Sequence, residues 1–125
     1  MRVREFSISF VSTVLLTASA EAHHSFSALF DVDRAVTVTG EVTEFEFEAP
    51  HSYIHLKVSG ADGADEAWQI ETTTPGMLLR KGINPSSLKA GDTITVNGNP
   101  TRDGRKIMRL LTITMPDGKE LEIQQ

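Results

Sequence analysis

The sequence predicts a mostly β protein: a small, OB-like, partly open β-barrel of five to six strands, with one short helix between strands three and four. Three observations carry this prediction. Apolar and polar residues alternate with period two through most of the chain beyond Ala35. The first long strand changes phase beside Gly40. The single credible helix follows the third strand and precedes the fourth, where a barrel of this type keeps its helix. A small sandwich with one stray helix would use the same elements; the helix position and the bent first strand favour the barrel.

The chain opens on something else. Arg2 and Arg4 give a short positive start, Phe6 to Ala18 is apolar apart from Ser and Thr, and small residues follow as Ala18-Ser19-Ala20 and Ala20-Glu21-Ala22. That layout reads as a secretory signal over residues 1–22. The apolar stretch is well short of the ~20 residues that a membrane-spanning helix needs. No Cys follows the small residues to carry a lipid. The expected product is exported to the periplasm and has no stable membrane anchor after processing. Two overlapping Ala-x-Ala sites leave two starts open: cleavage after Ala22 exposes His23, and cleavage after Ala20 leaves Glu21-Ala22-His23.

Residues 23–34 show no sustained period and read as an extended N-terminal segment, with Phe26, Leu29 and Phe30 available to dock on a core. The barrel is expected over residues 35–125. Val36 and Val38 alternate with Thr37 and Thr39; after Gly40 and Val42 the pattern resumes one residue out of phase, with Phe45 and Phe47 apolar against Glu44, Glu46 and Glu48. A phase slip beside a glycine signals a β-bulge, which bends the strand so that it can serve two sheets. Ala49-Pro50 breaks the strand. From Ser52 to Val58, Ile54, Leu56 and Val58 share one face and Tyr53, His55 and Lys57 the other.

Asp62-Gly63 marks a turn, and Ala67 to Thr72 is a third strand with Trp68 and Ile70 inward. Thr74 is a fair helix N-cap, Pro75 suits the first helical position, Met77, Leu78 and Leu79 supply apolar contact, and Gly82 closes the turn. Strands follow at Thr93 to Asn97 and about Lys106 to Met115, with a short last one carrying Leu121 and Ile123. Asp103-Gly104 and Asp117-Gly118 make the turns between them.

The mature domain, roughly 100 residues, is large enough to bury somewhat over 60% of the surface its unfolded chain exposes. With no cysteine in the sequence, disulfides, thiol catalysis and thiolate metal sites are excluded. The net charge of −5 argues against nucleic acid, because affinity for the phosphate backbone comes from clustered Lys and Arg.

The stretches Ala22-His23-His24-Ser25-Phe26 with Phe30-Asp31, Val38-Thr39-Gly40-Glu41-Val42, Pro50-His51, Leu78-Leu79-Arg80-Lys81-Gly82, Leu88-Lys89-Ala90-Gly91-Asp92 and Asp103-Gly104 resemble a domain-of-unknown-function family of small exported proteobacterial proteins. They spread over nearly the whole mature chain. The departure from that pattern is Ala49, where the family has Asn before Pro-His. The resemblance implies export and a compact β-barrel, and it implies no activity.

Two constellations can carry chemistry. The first is His23-His24 at the processed terminus. Cleavage after Ala22 lets the amine and imidazole of His23 chelate together. Cleavage after Ala20 lets amine, two amides and the third-residue imidazole enclose a metal in a square plane, a nitrogen-rich geometry that favours copper. The competing explanation is a frayed polar start.

The second is the outer face of the first hairpin. A turn centred on Ala49-Pro50 sets Phe45 opposite Ile54, Thr43 opposite Leu56, Glu44 opposite His55, Glu46 opposite Tyr53 and Glu48 opposite His51. His51 and His55 lie about 13 Å apart at ~3.3 Å per residue, so they cannot share one ion. A metal at His51 would draw on Glu48 and on His23 or His24. The competing explanation, stronger for His55 than for His51, is a solvated row of cross-strand Glu–His and Glu–Tyr pairs, each contributing well under 1 kcal/mol. Trp68 is expected in the core, with a stacking platform as the alternative.

No nucleophile elbow, phosphate-cradling glycine loop or His-Glu-x-x-His occurs. The expected function is therefore a non-enzymatic periplasmic binding domain holding copper through His23, His24 and His51 with Glu48. The alternative is a barrel that binds a peptide, glycan or envelope protein without metal.

Overall fold

In a computed structural model, residues 26–124 are described; the signal segment, His23 and His24 lie outside the described residues. The elements run β1 (Val36–Glu46), β2 (Tyr53–Ser59), β3 (Asp65–Glu71), α1 (Pro75–Arg80), β4 (Thr93–Pro100), β5 (Ile107–Thr114) and β6 (Glu120–Glu122). They form one sheet in the order β3-β2-β1-β4-β5-β6, with β3 also paired to β5. That last pairing is parallel and short, Gln69 to Ile107 through Glu71 to Arg109, and it closes a five-stranded barrel that the sequence predicts to be partly open. The free edge of β5 is divided: residues 107–109 take β3, and residues 112–114 take β6.

β1 serves two neighbours, as its phase slip predicts. Its first half pairs with β4, from Val36 against Gly98 to Glu41 against Thr93, and its second half pairs with β2. The extra residue of the bulge is Thr43, because Val42 faces Leu56 while Glu44 faces His55. Thr43 therefore does not face Leu56; its hydroxyl donates to the His55 carbonyl at 3.2 Å instead. The bulge lets both Val42 and Phe45 point inward, with Val42 fully buried. Gly40 has a separate task. A Cβ there would lie 2.8 Å from the Lys57 carbonyl oxygen and from Val58 Cγ2, so only glycine allows the bent strand to approach β2 this closely.

Alternation places Ile54 and Leu56 of β2, Ile70 of β3, Ile94 and Val96 of β4, and Met108, Leu110 and Ile113 of β5 in one core. α1 and the loop after it add Leu78, Ile83 and Leu88 to that core. Thr74 caps the helix by accepting from Met77 N at 3.3 Å, and Pro75 sits in its first turn. Of the three apolar helix residues only Leu78 is buried; Met77 and Leu79 are exposed. Consecutive residues point about 100° apart around a helix of 3.6 residues per turn, so six residues on an open flank bury only one direction.

The N-terminal segment departs from the extended form the sequence suggests. Residues 26–29 make one helical turn, closed by Phe30 N donating to Phe26 O at 2.8 Å. Phe30 is buried and bridges to Thr101, while Leu29 stays exposed. Trp68 is only half-buried: it packs against the core from its edge, and its indole N–H donates to Glu66 at 3.1 Å. No helix of the described residues is long and apolar enough to cross a membrane.

Candidate functional site

The residues of interest lie on the outer face of β1, β2 and β3 and on the loop joining the first two. The ladder between β1 and β2 ends at Glu46 opposite Tyr53. Beyond it the chain turns through a cis Ala49–Pro50 bond. Ser52, fully buried, organises the loop: its hydroxyl accepts from Glu48 N and donates to Glu48 O, both at 3.2 Å. The Ser52 backbone bonds to Thr72 and Thr73, tying the loop to the end of β3. Every polar group of Ser52 is thus satisfied internally, which a buried hydroxyl and peptide require.

This anchoring sets His51 beside Glu71. His51 Nδ1 lies 2.7 Å from Glu71 Oε1, with side chains 33% and 14% exposed. A carboxylate only accepts, so Nδ1 carries the hydrogen, and in the neutral ring this leaves the lone pair on Nε2. The Phe26 ring stands 6.2 Å from the imidazole, and the Arg109 guanidinium lies 5.3 Å from the same phenyl ring. Phe26, Leu29, Phe30, His51 and Glu71 line a recess of about 300 Å³.

The residues singled out by sequence separate here. His51 stands at the recess. Glu48 is exposed and meets Ser52 through its backbone, so it does not face His51 across a ladder. Glu71 holds the place expected of Glu48. The signal that could have found it is the pairing of β3 on β2, which sets Glu71 opposite Tyr53.

Further along the same face a second group forms. Glu44, Glu46 and His55 each offer a ligand atom, and these atoms lie within 4.8 Å of one another. Glu44 faces His55 directly, as expected, and Glu46 reaches it diagonally, with Oε2 3.4 Å from His55 Nε2. Between the two groups stands Tyr53. Its phenol is pushed above the usual range, first by burial and then by the carboxylates of Glu71 and Glu46. A groove of about 620 Å³ opens beside the second group, bounded by Thr43, Glu44, His55, Lys57, Trp68 and Lys106. The Lys106 ammonium sits 5.4 Å over the Trp68 ring.

Fold and face together define a small OB-type barrel with imidazole–carboxylate groups on its outer surface. The chain belongs to a family of unknown function, DUF6152, whose model matches residues 12–109. No curated protein matches it.

Proposed function

We propose that this protein is an exported, non-enzymatic metal-binding domain whose copper site is made by His23 and His24 together with His51. The observation that carries the reading is the seating of Phe26 against His51 at 6.2 Å. His24 precedes Phe26 by two residues and His23 by three. Spans of that length reach at most about 7 and 11 Å at ~3.3–3.6 Å per residue, so either imidazole is within chain reach of His51. Glu71 supports the same reading. Metal-ligating histidines commonly donate their second ring N–H to a carboxylate, which fixes the ring and directs the other nitrogen to the ion. Two or three imidazoles with a terminal amine form a nitrogen-rich set, and copper(II) binds such sets most tightly among the divalent ions.

The test is a Cu(II) titration of protein recovered from the periplasm, its N-terminus defined by intact mass. Wild type is expected to bind one ion at sub-micromolar affinity. His23→Ala with His24→Ala should abolish this binding, and His51→Ala should weaken it. Unchanged affinity in the double variant would overturn the reading.

A second reading is favoured by the groove beside Trp68, whose half-exposed ring offers a stacking surface to a peptide or glycan. It predicts an envelope partner retained in the presence of a chelator and lost in Trp68→Ala.

A further inference from the structure

We propose that Glu44, Glu46 and His55 form a second metal site, independent of the first and suited to zinc. The cluster is built within one ladder: Glu44 and His55 are direct cross-strand partners, and Glu46 is the diagonal neighbour. His55 Nε2 and Glu46 Oε2 are 3.4 Å apart. Two ligands bonded to one tetrahedral zinc at ~2.0–2.2 Å stand about 3.3–3.6 Å from each other. The third ligand atom, on Glu44, lies within 4.8 Å of both and belongs to an exposed side chain free to close on an ion.

The second observation concerns the imidazole itself. His55 Nε2 is enclosed and makes no hydrogen bond, although a carboxylate oxygen stands 3.4 Å away and the ring's rim is exposed. Glu46 is thus its ion-pair partner without a well-aligned hydrogen bond, the relation that two ligands of one ion have to each other.

The local charge agrees. Lys57 pairs with Glu41 at 3.5 Å and Lys106 with Glu66 at 3.7 Å, so the ammonium groups that line the groove are engaged with other carboxylates. Among the described residues no Lys or Arg pairs with Glu44 or Glu46.

One imidazole with two carboxylates is a donor set of the kind tetrahedral zinc sites use, so any selectivity over copper here comes from geometry and metal availability and not from raw affinity. Three protein ligands leave a fourth position open, and the groove that Glu44 and His55 help to line lies beside the cluster.

The sequence has four histidines, at 23, 24, 51 and 55. In the mature protein carrying His23→Ala, His24→Ala and His51→Ala, His55 is therefore the sole imidazole, and the copper reading is removed from the experiment. Titrating this variant with Zn²⁺ should move the ¹⁵N resonance of His55 Nε2 into the range of a coordinated nitrogen. Co²⁺ should give visible d–d bands that Zn²⁺ displaces. Adding Glu44→Gln or Glu46→Gln should weaken Zn²⁺ binding by more than the roughly 10–100-fold that loss of an outer-shell partner costs. Glu122→Gln, on exposed β6, should change nothing. Circular dichroism establishes that each variant is folded. An imidazole signal indifferent to Zn²⁺, or affinity unchanged by both Glu substitutions, would overturn the proposal.

Discussion

Replacing Glu71 by Gln tests whether the carboxylate beside His51 orients a ligand or merely decorates the surface. The carboxylate oxygen is 2.7 Å from Nδ1 and the Glu71 side chain is 14% exposed, so the contact is short, sheltered and charge-assisted. Gln preserves the volume but removes the charge, and its amide can turn its NH2 toward the ring, so the tautomer is no longer fixed. Loss of such a partner typically costs 10–100-fold in metal affinity, about 1.4–2.8 kcal/mol at ~1.4 kcal/mol per tenfold. The cost to folding should be smaller, about 1 kcal/mol or less, because the His51 side chain is a third exposed and solvent screens the pair. Isothermal titration with Cu(II), run beside a urea melt of the metal-free protein, separates the two effects. A threefold or smaller change in affinity in Glu71→Gln, with His51→Ala still weakening binding, would refute the orienting role (threefold being well below the roughly tenfold floor of such effects).

The remaining predictions concern the scaffold and its titration. A Cβ at Gly98 would collide with the Arg109 carbonyl oxygen and lie 3.0 Å from Met108 Sδ; Gly98→Ala should lower stability by about 1–3 kcal/mol in urea denaturation. Gly76→Ala, where a Cβ meets nothing within 4 Å, should instead raise it by about 0.4–1 kcal/mol. Tyr53 is the sole tyrosine, so phenolate absorbance reports it alone. Its folded pKa lies above 10.0, so the folded protein keeps a proton that the unfolded chain loses; its contribution to stability is intact below that pH and falls as pH rises through the folded pKa. Tyr53→Phe should flatten this alkaline decline. Glu71→Gln should lower the phenol's pKa more than Glu46→Gln, since Glu71 is the larger of the two carboxylate influences, and neither should remove the part due to burial.

Much of the first hairpin is legible in the sequence. Phe45 against Ile54, Glu44 against His55 and Glu46 against Tyr53 all follow from alternation about Ala49-Pro50, because a period of two leaves one register that keeps every apolar residue on one side. The bulge is legible too, but not its position: Gly40 marks the close approach to β2, whereas the extra residue is Thr43, which an alternation pattern alone does not distinguish from its neighbours. Closure is not legible. It depends on a parallel pairing of Gln69–Glu71 with Ile107–Arg109, residues whose meeting is decided by the packing of the whole core. The same limit hides Glu71. Extending the hairpin ladder pairs His51 with Glu48, but the buried Ser52 bonds back to Glu48 and outward to Thr72 and Thr73, which turns His51 from β1 toward β3.

That turn is why one face carries two separate imidazole–carboxylate groups. β2 sends Tyr53 and His55 outward between the carboxylates of β1 and β3, so His51, Glu71, Tyr53, Glu46, His55 and Glu44 form one row. Within the row the two imidazoles are four residues apart, about 13 Å if the backbone is extended, too far for one ion and room for two. The two sites also differ in what builds them. The His55 site takes all its ligands from paired strands, whose positions the ladder fixes before any metal arrives, and rigid placement favours one coordination geometry. The proposed His51 site has His51 and its orienting carboxylate in the described structure and would recruit further nitrogens from the chain before Phe26, so on that reading its donor set depends on how the precursor is cut. If both proposed sites hold, processing at Ala20 or at Ala22 would change the donor set around copper and leave the His55 cluster unchanged, so the spectrum of the bound copper, and not the zinc bound, would report the mature N-terminus.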